Sequence, residues 1–322
     1  MRFVIFGAGA IGGVLGARLH QAGFDVTLIA RGEHLHTLRR DGLTVVTPAQ
    51  RTVLRPAVAA GPDEVDWSGD EIVLLAIKSQ DTLGALTALR DAAGTGVPVV
   101  CMQNGVENER LALRFFADVY AAAVMVPAAH LQPGTVESYA ARITGMIDVA
   151  RYPDGTDERC EQLRAALQRS GFEARVVPDV MRLKHAKLLL NLRNAVEALF
   201  APGDEREELF ELARAEGRAA LTAAGTEFVD DDVSDVRGRW ERMGVSEIDG
   251  RARAGSSTWQ SLARRTGALE TDYLNGEIVL AGRLYGVPTP VNETLCRLAA
   301  GAARGAAEPG SLAAQDVLAV VA

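Results

Sequence analysis

The sequence predicts an α/β fold in which an N-terminal doubly wound parallel sheet is followed by an all-helical C-terminal domain. Three observations carry that expectation. Short apolar runs ("RFVIF", "EIVLLAIK", "VPVVCMQNG", "VYAAAVMV") alternate with helical patterns in the first half, as strands buried on both faces of a parallel sheet do. A glycine-rich turn, "GAGAIGG", follows the first of these runs directly and opens an apolar helix. From about Pro178 onward nearly every segment has helical periodicity.

Taken in order, residues 2–6 read as a buried strand, the glycine turn leads a helix to about Gly23, and "FDVTLIA" is the next strand, which makes a βαβ unit. "TVVT" and "RTVLRPAVA" suggest a hairpin, and helical patterns lie near 79–92 and 107–116. Further helices are expected near 179–200, 205–225, 257–265, 271–286 and 291–303. The expected division is therefore a Rossmann-type nucleotide-binding domain over 1–177 and a helical substrate domain over 178–322. The polar, glycine-rich stretch 229–256 reads as a mobile connection or a lid over a cleft between the domains. Its Asp230, Asp231, Asp232 and Asp235 lack the order of a calcium loop and read as a solvated acidic turn. The alanine-rich end from Gly305 reads as partly disordered.

Composition narrows the function. The 322 residues are 48% hydrophobic and 24% charged, enough for two folded cores. The net charge of −8, from 34 basic and 42 acidic residues, offers no field to attract nucleic acid or an anionic membrane. A small-molecule partner is the expectation. The three cysteines, Cys101, Cys160 and Cys296, form no CxxC pair, so neither a disulfide framework nor a metal site is expected, which fits a reducing cytoplasm. The N-terminal run resembles a secretory signal only superficially, because glycines interrupt it at fixed offsets. No later run reaches the roughly 18 to 20 apolar residues of a membrane helix. A soluble, cytoplasmic protein is expected.

Gly7, Gly9 and Gly12 form GxGxxG between a strand and a helix. Gly7 permits the tight turn, Gly9 lets backbone approach a pyrophosphate, and Gly12 lets the helix lie on the sheet. Ala10 and Ile11 complete the helix N-terminus, whose free N–H groups and positive dipole end suit phosphate. NAD-binding domains carry an acid at the end of the second strand to hold the ribose 2′-hydroxyl. Ala30 and Arg31 stand there instead, and a guanidinium suits a 2′-phosphate, so NADP(H) is preferred. Lys78 and Asn104 end the strands "EIVLLAIK" and "VPVVCMQN", where side chains reach a ligand; the plainer readings are a solvent-facing lysine and an Asn-Gly turn.

In "KLLLNLRN", residues 187–194, Asn191 lies about 40° around a helix from Lys187 and Asn194 about 20° to its other side. Leu189, Leu192 and Val196 cover the opposite face. A lysine with two amides is costly to bury without polar partners, and a substrate carbonyl or carboxylate would provide them. Hydride reduction of a carbonyl places negative charge on oxygen, which a desolvated lysine can stabilise and protonate. The alternatives are a lysine reaching the surface or pairing with Glu197 or Glu270, and Lys184 is a rival for the catalytic role.

Together these segments resemble the ketopantoate reductase (2-dehydropantoate 2-reductase) family along essentially the whole chain. The resemblance rests on "GAGAIGG", Arg31, Lys78, "QNG" at 103–105, "KLLLN" at 187–191, "SSTWQ" at 256–260 and "ETDYLNGEI" at 270–278, followed by "GVPTPVN". It implies hydride transfer from NADPH to C2 of a 2-keto acid, giving pantoate for pantothenate and coenzyme A synthesis. It also implies that Lys187 protonates the carbonyl oxygen, Asn191 and Asn104 orient substrate and nicotinamide, Ser257 contacts the substrate and Glu270 stands beside both. Two departures touch the substrate side: the family's second asparagine, eight residues after the lysine, is Ala195 with Asn194 before it, and the Ser257–Glu270 spacing is one residue longer, which leaves Ser256 and Ser257 both open as the substrate contact. The other expectations are a reductase of a different 2-keto acid or dicarbonyl, and a non-catalytic NADPH sensor. A long helical domain is compatible with a homodimer.

Overall fold

The computed structural model describes residues 1–230, 236–265, 267–305 and 307–321. The chain divides into two units, and in each case only described residues are meant: Met1–Leu183 with Asp231–Arg253, and Lys184–Asp230 with Ala254–Ala322. The strands are β1 (Arg2–Phe6), β2 (Asp25–Ile29), β3 (Leu43–Val46), β4 (Arg51–Leu54), β5 (Ala57–Ala59), β6 (Glu71–Leu75), β7 (Val99–Cys101), β8 (Val119–Met125), β9 (Ala128–Ala129), β10 (Thr135–Ser138), β11 (Met146–Arg151) and β12 (Glu173–Val176). The helices are α1 (Ala10–Gln21), α2 (Gly32–Asp41), α3 (Thr82–Ala93), α4 (Asn108–Leu113), α5 (Glu158–Arg169), α6 (Val180–Asn191), α7 (Arg193–Leu199), α8 (Asp204–Ala223), α9 (Val236–Met243), α10 (Ser257–Ala263), α11 (Asn275–Tyr285), α12 (Pro290–Gly305) and α13 (Ala314–Val321).

The first unit is built on an eight-stranded sheet of order β12-β11-β8-β7-β6-β1-β2-β5. It is the expected Rossmann-type sheet. From β8 to β5 the neighbours are parallel, and β11 turns antiparallel to β8. Phe3 and Ile5 of β1 pack on one face and Val4 on the other, so the strand is apolar throughout. The chain leaves β1 for β2 on one side and later enters β6 on the other. The carboxyl end of β1 is therefore the topological switch point, where open α/β sheets bind ligands.

A second sheet, β4-β3-β10-β9, holds the expected hairpin of β3 and β4. The remainder of "RTVLRPAVA" departs from expectation, because β5 joins the main sheet beside β2. Pro56 lies between β4 and β5 and has no N–H to continue a ladder, which separates the two strands. Within β11, Asp148 is buried at 1% exposure, a charge that an apolar-run search passes over. Arg175 of β12 binds it through two nitrogens at 2.8 and 2.9 Å, and Arg239 of α9 adds a third contact at 2.7 Å.

That third contact belongs to a correction. The stretch 229–256 was expected as a mobile connection or lid, and the boundary as a single cut after residue 177. The described residues of Asp231–Arg253 instead pack within the first unit. Met243 and Ile248 are buried, Trp240 packs with Met146, and Ser246 N–H donates to the Tyr139 carbonyl at 2.9 Å. Three apolar anchors spread among charges made the segment read as loop. Asp231, Asp232 and Asp235 lie outside the described residues, and Asp230 pairs with Arg218 at 3.1 Å. The C-terminal end is also more ordered than expected: Gly310 and Leu312 N–H groups donate to the carbonyls of Ala198 and Leu199, and α13 follows.

The second unit is helical, as expected. Leu188, Leu189, Leu192, Val196, Leu209, Ile278 and Leu295 are among its buried residues. Gly217 of α8 permits close packing, since a Cβ there would come within 2.7 Å of Leu189 and 3.1 Å of Leu192. A buried polar chain ties the helices together. Asn275 Nδ2 donates to Asn292 Oδ1 at 3.0 Å, and Asn292 Nδ2 donates to Glu216 Oε2 at 2.7 Å and to the Ala213 carbonyl at 2.9 Å. Glu216 accepts the Val291 and Asn292 N–H groups at 2.8 and 3.0 Å, capping the start of α12 from α8.

Replacing Asp148 with alanine would leave Arg239 buried without a counter-charge and is expected to cost about 3–5 kcal/mol. Arg175→Gln, at a side chain 50% exposed, should cost about 1 kcal/mol or less. Urea unfolding of both variants measures the difference, and equally small losses would contradict the buried clamp.

Candidate active site

The carboxyl end of β1 carries the glycine turn. Gly7 has φ +105, open to glycine, and the N–H groups of Gly7 and Ala8 both reach the Ile29 carbonyl at 3.1 Å, fixing the turn against β2. A Cβ on Gly12 would lie 1.9 Å from the Gly7 carbonyl oxygen, so only glycine allows α1 this close to the turn. Gly9 is different, because a Cβ there would meet nothing within 4 Å. Nothing in the protein's own packing demands glycine at position 9, whereas a phosphate approaching the backbone would. The first turn of α1, from Ala10 and Ile11, contains no acid that would oppose an anion at its positive end.

The two flanking strands frame this turn. Arg31 follows β2 and its Nη2 lies 2.8 Å from Asp81 Oδ2, beyond the end of β6. His34 of α2 also holds the turn. Its Nδ1 accepts the Gly134 N–H at 2.8 Å, so Nε2 carries the proton and donates to the Ala8 carbonyl, also at 2.8 Å.

The strands β6 and β7 stop sooner than expected, so Lys78 and Asn104 lie in loops three residues past Leu75 and Cys101, and a buried network locks these loops together. Asn108 Nδ2 donates to the Asn104 carbonyl at 2.9 Å and to Ser79 Oγ at 3.1 Å. Its Oδ1 receives Thr82 Oγ1 at 2.8 Å and Gln103 Nε2 at 3.1 Å. The backbone at Asn104 is thereby fixed relative to the loop that carries Lys78. Sequence reasoning missed Asn108, His34 and Asp81, because their roles depend on which loops become neighbours.

In the second unit α6 presents Lys184, Lys187 and Asn191 at three- and four-residue spacing, with Lys184 buried and the other two half-buried. Burial pushes the Lys187 ammonium down to about 8, the charge of Lys184 pushes the same way, and Glu270 opposes both. Glu270 is itself buried and opens a 3-10 turn ahead of α11, not the long helix its surroundings suggested. Asn191 Nδ2 and Ser257 Oγ are buried without a hydrogen-bond partner among the described residues. Ser256 is occupied otherwise: its Oγ accepts the Trp259 N–H at 3.3 Å to cap α10 and donates to the Asn194 carbonyl at 3.2 Å. Helical order is interrupted at Leu192, between α6 and α7. Leu192 itself keeps helical backbone angles, φ −59 and ψ −27, and Asn194 lies in the first turn of α7.

The chain matches the family model for ketopantoate reductase PanE/ApbA over residues 3–151 and the model for its C-terminal part over residues 179–303. The chain belongs to this family. A 2-dehydropantoate 2-reductase of Archaeoglobus fulgidus is 31% identical over 94% of this chain and 98% of that protein. Its counterpart in Pyrococcus horikoshii is 26% identical over 92% and 96%. Among solved structures, a PanE/ApbA family ketopantoate reductase from Ralstonia eutropha superposes with a TM-score of 0.79 at 29% identity, covering 95% of this chain and 99% of that one. A D-mandelate dehydrogenase solved with NADH and anilino(oxo)acetate shares the fold at a TM-score of 0.80 and 23% identity, with the same coverage. The ketopantoate reductase matches span both units.

Holding a desolvated lysine beside Lys184 has a cost that Lys187→Met removes. That variant is expected to be more stable at pH 7 by roughly 1–3 kcal/mol. Lys187 titrates near 8 in the folded chain, below the ordinary 10.5, so the unfolded chain binds the extra proton between those values. Stability of the natural chain therefore rises with pH across that window and the variant's advantage fades. Unfolding midpoints from pH 7 to pH 10 test this; a variant less stable at pH 7 would contradict it.

Proposed function

We propose that the chain is an NADPH-dependent reductase that converts ketopantoate (2-dehydropantoate) to pantoate in the cytoplasm, a step of pantothenate biosynthesis. The observation that carries this reading is the Lys187 amine, brought to about 8 beside an unpartnered Asn191 Nδ2 on the same helix face. When bound, the nicotinamide cofactor supplies the hydride. Its pyrophosphate fits the turn of Gly7, Gly9 and Gly12 with the first N–H groups of α1, at Ala10 and Ile11, and the space over Gly9 is left open for it. Arg31 would meet the ribose 2′-phosphate, Lys78 would add charge near the phosphates, and Asn104 would orient the nicotinamide or the substrate.

On the substrate side, Lys187 Nζ gives its proton to the carbonyl oxygen as hydride reaches C2, and regains a proton from water. Only a group that releases a proton near neutral pH does this readily, and desolvation produces that property. Glu270 keeps the lysine protonated until it is needed. Asn191 Nδ2 donates to the substrate oxygens, and Ser257 Oγ takes the carboxylate or hydroxyl end, since Ser256 is committed to its helix cap. Asn194 contributes from the start of α7. A second reading, reduction of a different 2-keto acid, is favoured by Ala195, which is buried and has no group with which to hold a substrate where the family places its second asparagine.

NADPH oxidation followed at 340 nm with a panel of 2-keto acids tests the reading. Ketopantoate is expected to be the fastest substrate; turnover confined to another keto acid would select the second reading. Lys187→Ala should lower kcat by about 100- to 10,000-fold and leave NADPH affinity nearly unchanged. The protonated amine is the active form for reduction, so kcat should be level below about pH 8 and fall above it, with the reverse oxidation showing the opposite dependence. A reduction rate that rises through pH 8 would remove Lys187 as the acid.

A further inference from the structure

The glycine turn is flanked by an ion pair that is not explained by its contribution to the fold. Arg31 follows β2, Asp81 follows β6, and these are the strands on either side of β1. Their side chains meet at 2.8 Å, joining the two strand ends around the turn. Asp81 stands at the N-cap position of α3, where a carboxylate ordinarily accepts N–H groups of the helix, yet it makes no capping hydrogen bond. Its carboxylate is turned to Arg31 instead. The side chains are 84% and 37% exposed, and exposed pairs contribute little to stability. The consequence of the pair is local: the positive charge offered to a ribose 2′-substituent is accompanied by an equal negative charge.

In NAD-binding domains the acid that reads the ribose 2′-hydroxyl comes from the end of the second strand. Here that strand ends in Ala30 and Arg31, and Asp81 brings a carboxylate to the same corner from the loop after β6. We infer that Asp81 is a specificity-determining residue. It accepts a hydrogen bond from the 2′-hydroxyl of NADH and repels the 2′-phosphate of NADPH, so the chain separates the two cofactors less sharply than Arg31 alone would. This rests on the reading above that Arg31 meets that ribose.

The test is titration of NADPH and NADH against the intact chain and its Asp81→Asn, Asp81→Ala and Arg31→Ala variants, followed by fluorescence at low salt. Asp81→Asn should raise the preference for NADPH over NADH by about tenfold, from tighter NADPH and weaker NADH binding. Asp81→Ala should move it in the same direction, and both effects should shrink in high salt as the charges are screened. Arg31→Ala should lower the preference. If both Asp81 variants leave the preference unchanged or reduce it while Arg31→Ala still lowers it, the role of Asp81 is overturned and the role of Arg31 stands. If Arg31→Ala leaves the preference unchanged, the 2′-phosphate reading fails and the role of Asp81 falls with it.

Discussion

The desolvated ammonium group of Lys187 on α6 is the constraint to which the second unit answers. Moving the Lys187 amine from its ordinary value to about 8 corresponds to on the order of 3 kcal/mol. A typical domain has only about 5–15 kcal/mol of net stability, so that is a large local cost. The surrounding helices oppose any easy relief. Leu188, Leu189 and Leu192 are buried, Gly217 lets α8 close on Leu189 and Leu192, and the chain Asn275–Asn292–Glu216 ties α8, α11 and α12 together. Burial of the Lys187 amine is what lowers its value toward neutral. In that desolvated state a lysine is a usable acid near neutral pH.

The first unit solves a different problem with backbone. Its glycine turn offers N–H groups and a helix dipole, which are fixed partial charges, and the turn is fixed by Ile29 on one side and His34 on another. The loops after β6 and β7 are locked to one another through Asn108. Each contact is modest, but together they remove freedom from backbone that would otherwise have to be ordered when a ligand arrives, which is how preorganisation raises affinity. The family assignment and the fold agree with this distribution of labour, with a nucleotide-type turn in one unit and a titratable helix in the other.

Much of this was legible in the sequence, for identifiable reasons. GxGxxG between a strand and a helix is a local pattern, and the close approach at Gly12 and the left-handed turn at Gly7 follow from it directly. The four-residue spacing of Lys187 and Asn191 is equally local, because one helix turn decides it. What was not legible depended on distant pairings. Asp81 meets Arg31 only because β6 and β2 flank β1, and Asp148 is tolerable inside β11 only because Arg175 and Arg239 arrive from β12 and α9. The segment carrying Trp240, Met243 and Ile248 read as a loop for the same reason: its apolar side chains are too sparse to show a period, and their burial is set by the surface they meet.

The most direct test of the account is titration of the Lys187 amine itself, by NMR of the chain with labelled lysine and with Lys187→Met to assign the signal. A midpoint near 8, moving upward when Lys184 is replaced by methionine, is the predicted result. A midpoint at the ordinary lysine value of about 10.5 would mean that the amine is solvated, and the helix would then have no acid to offer.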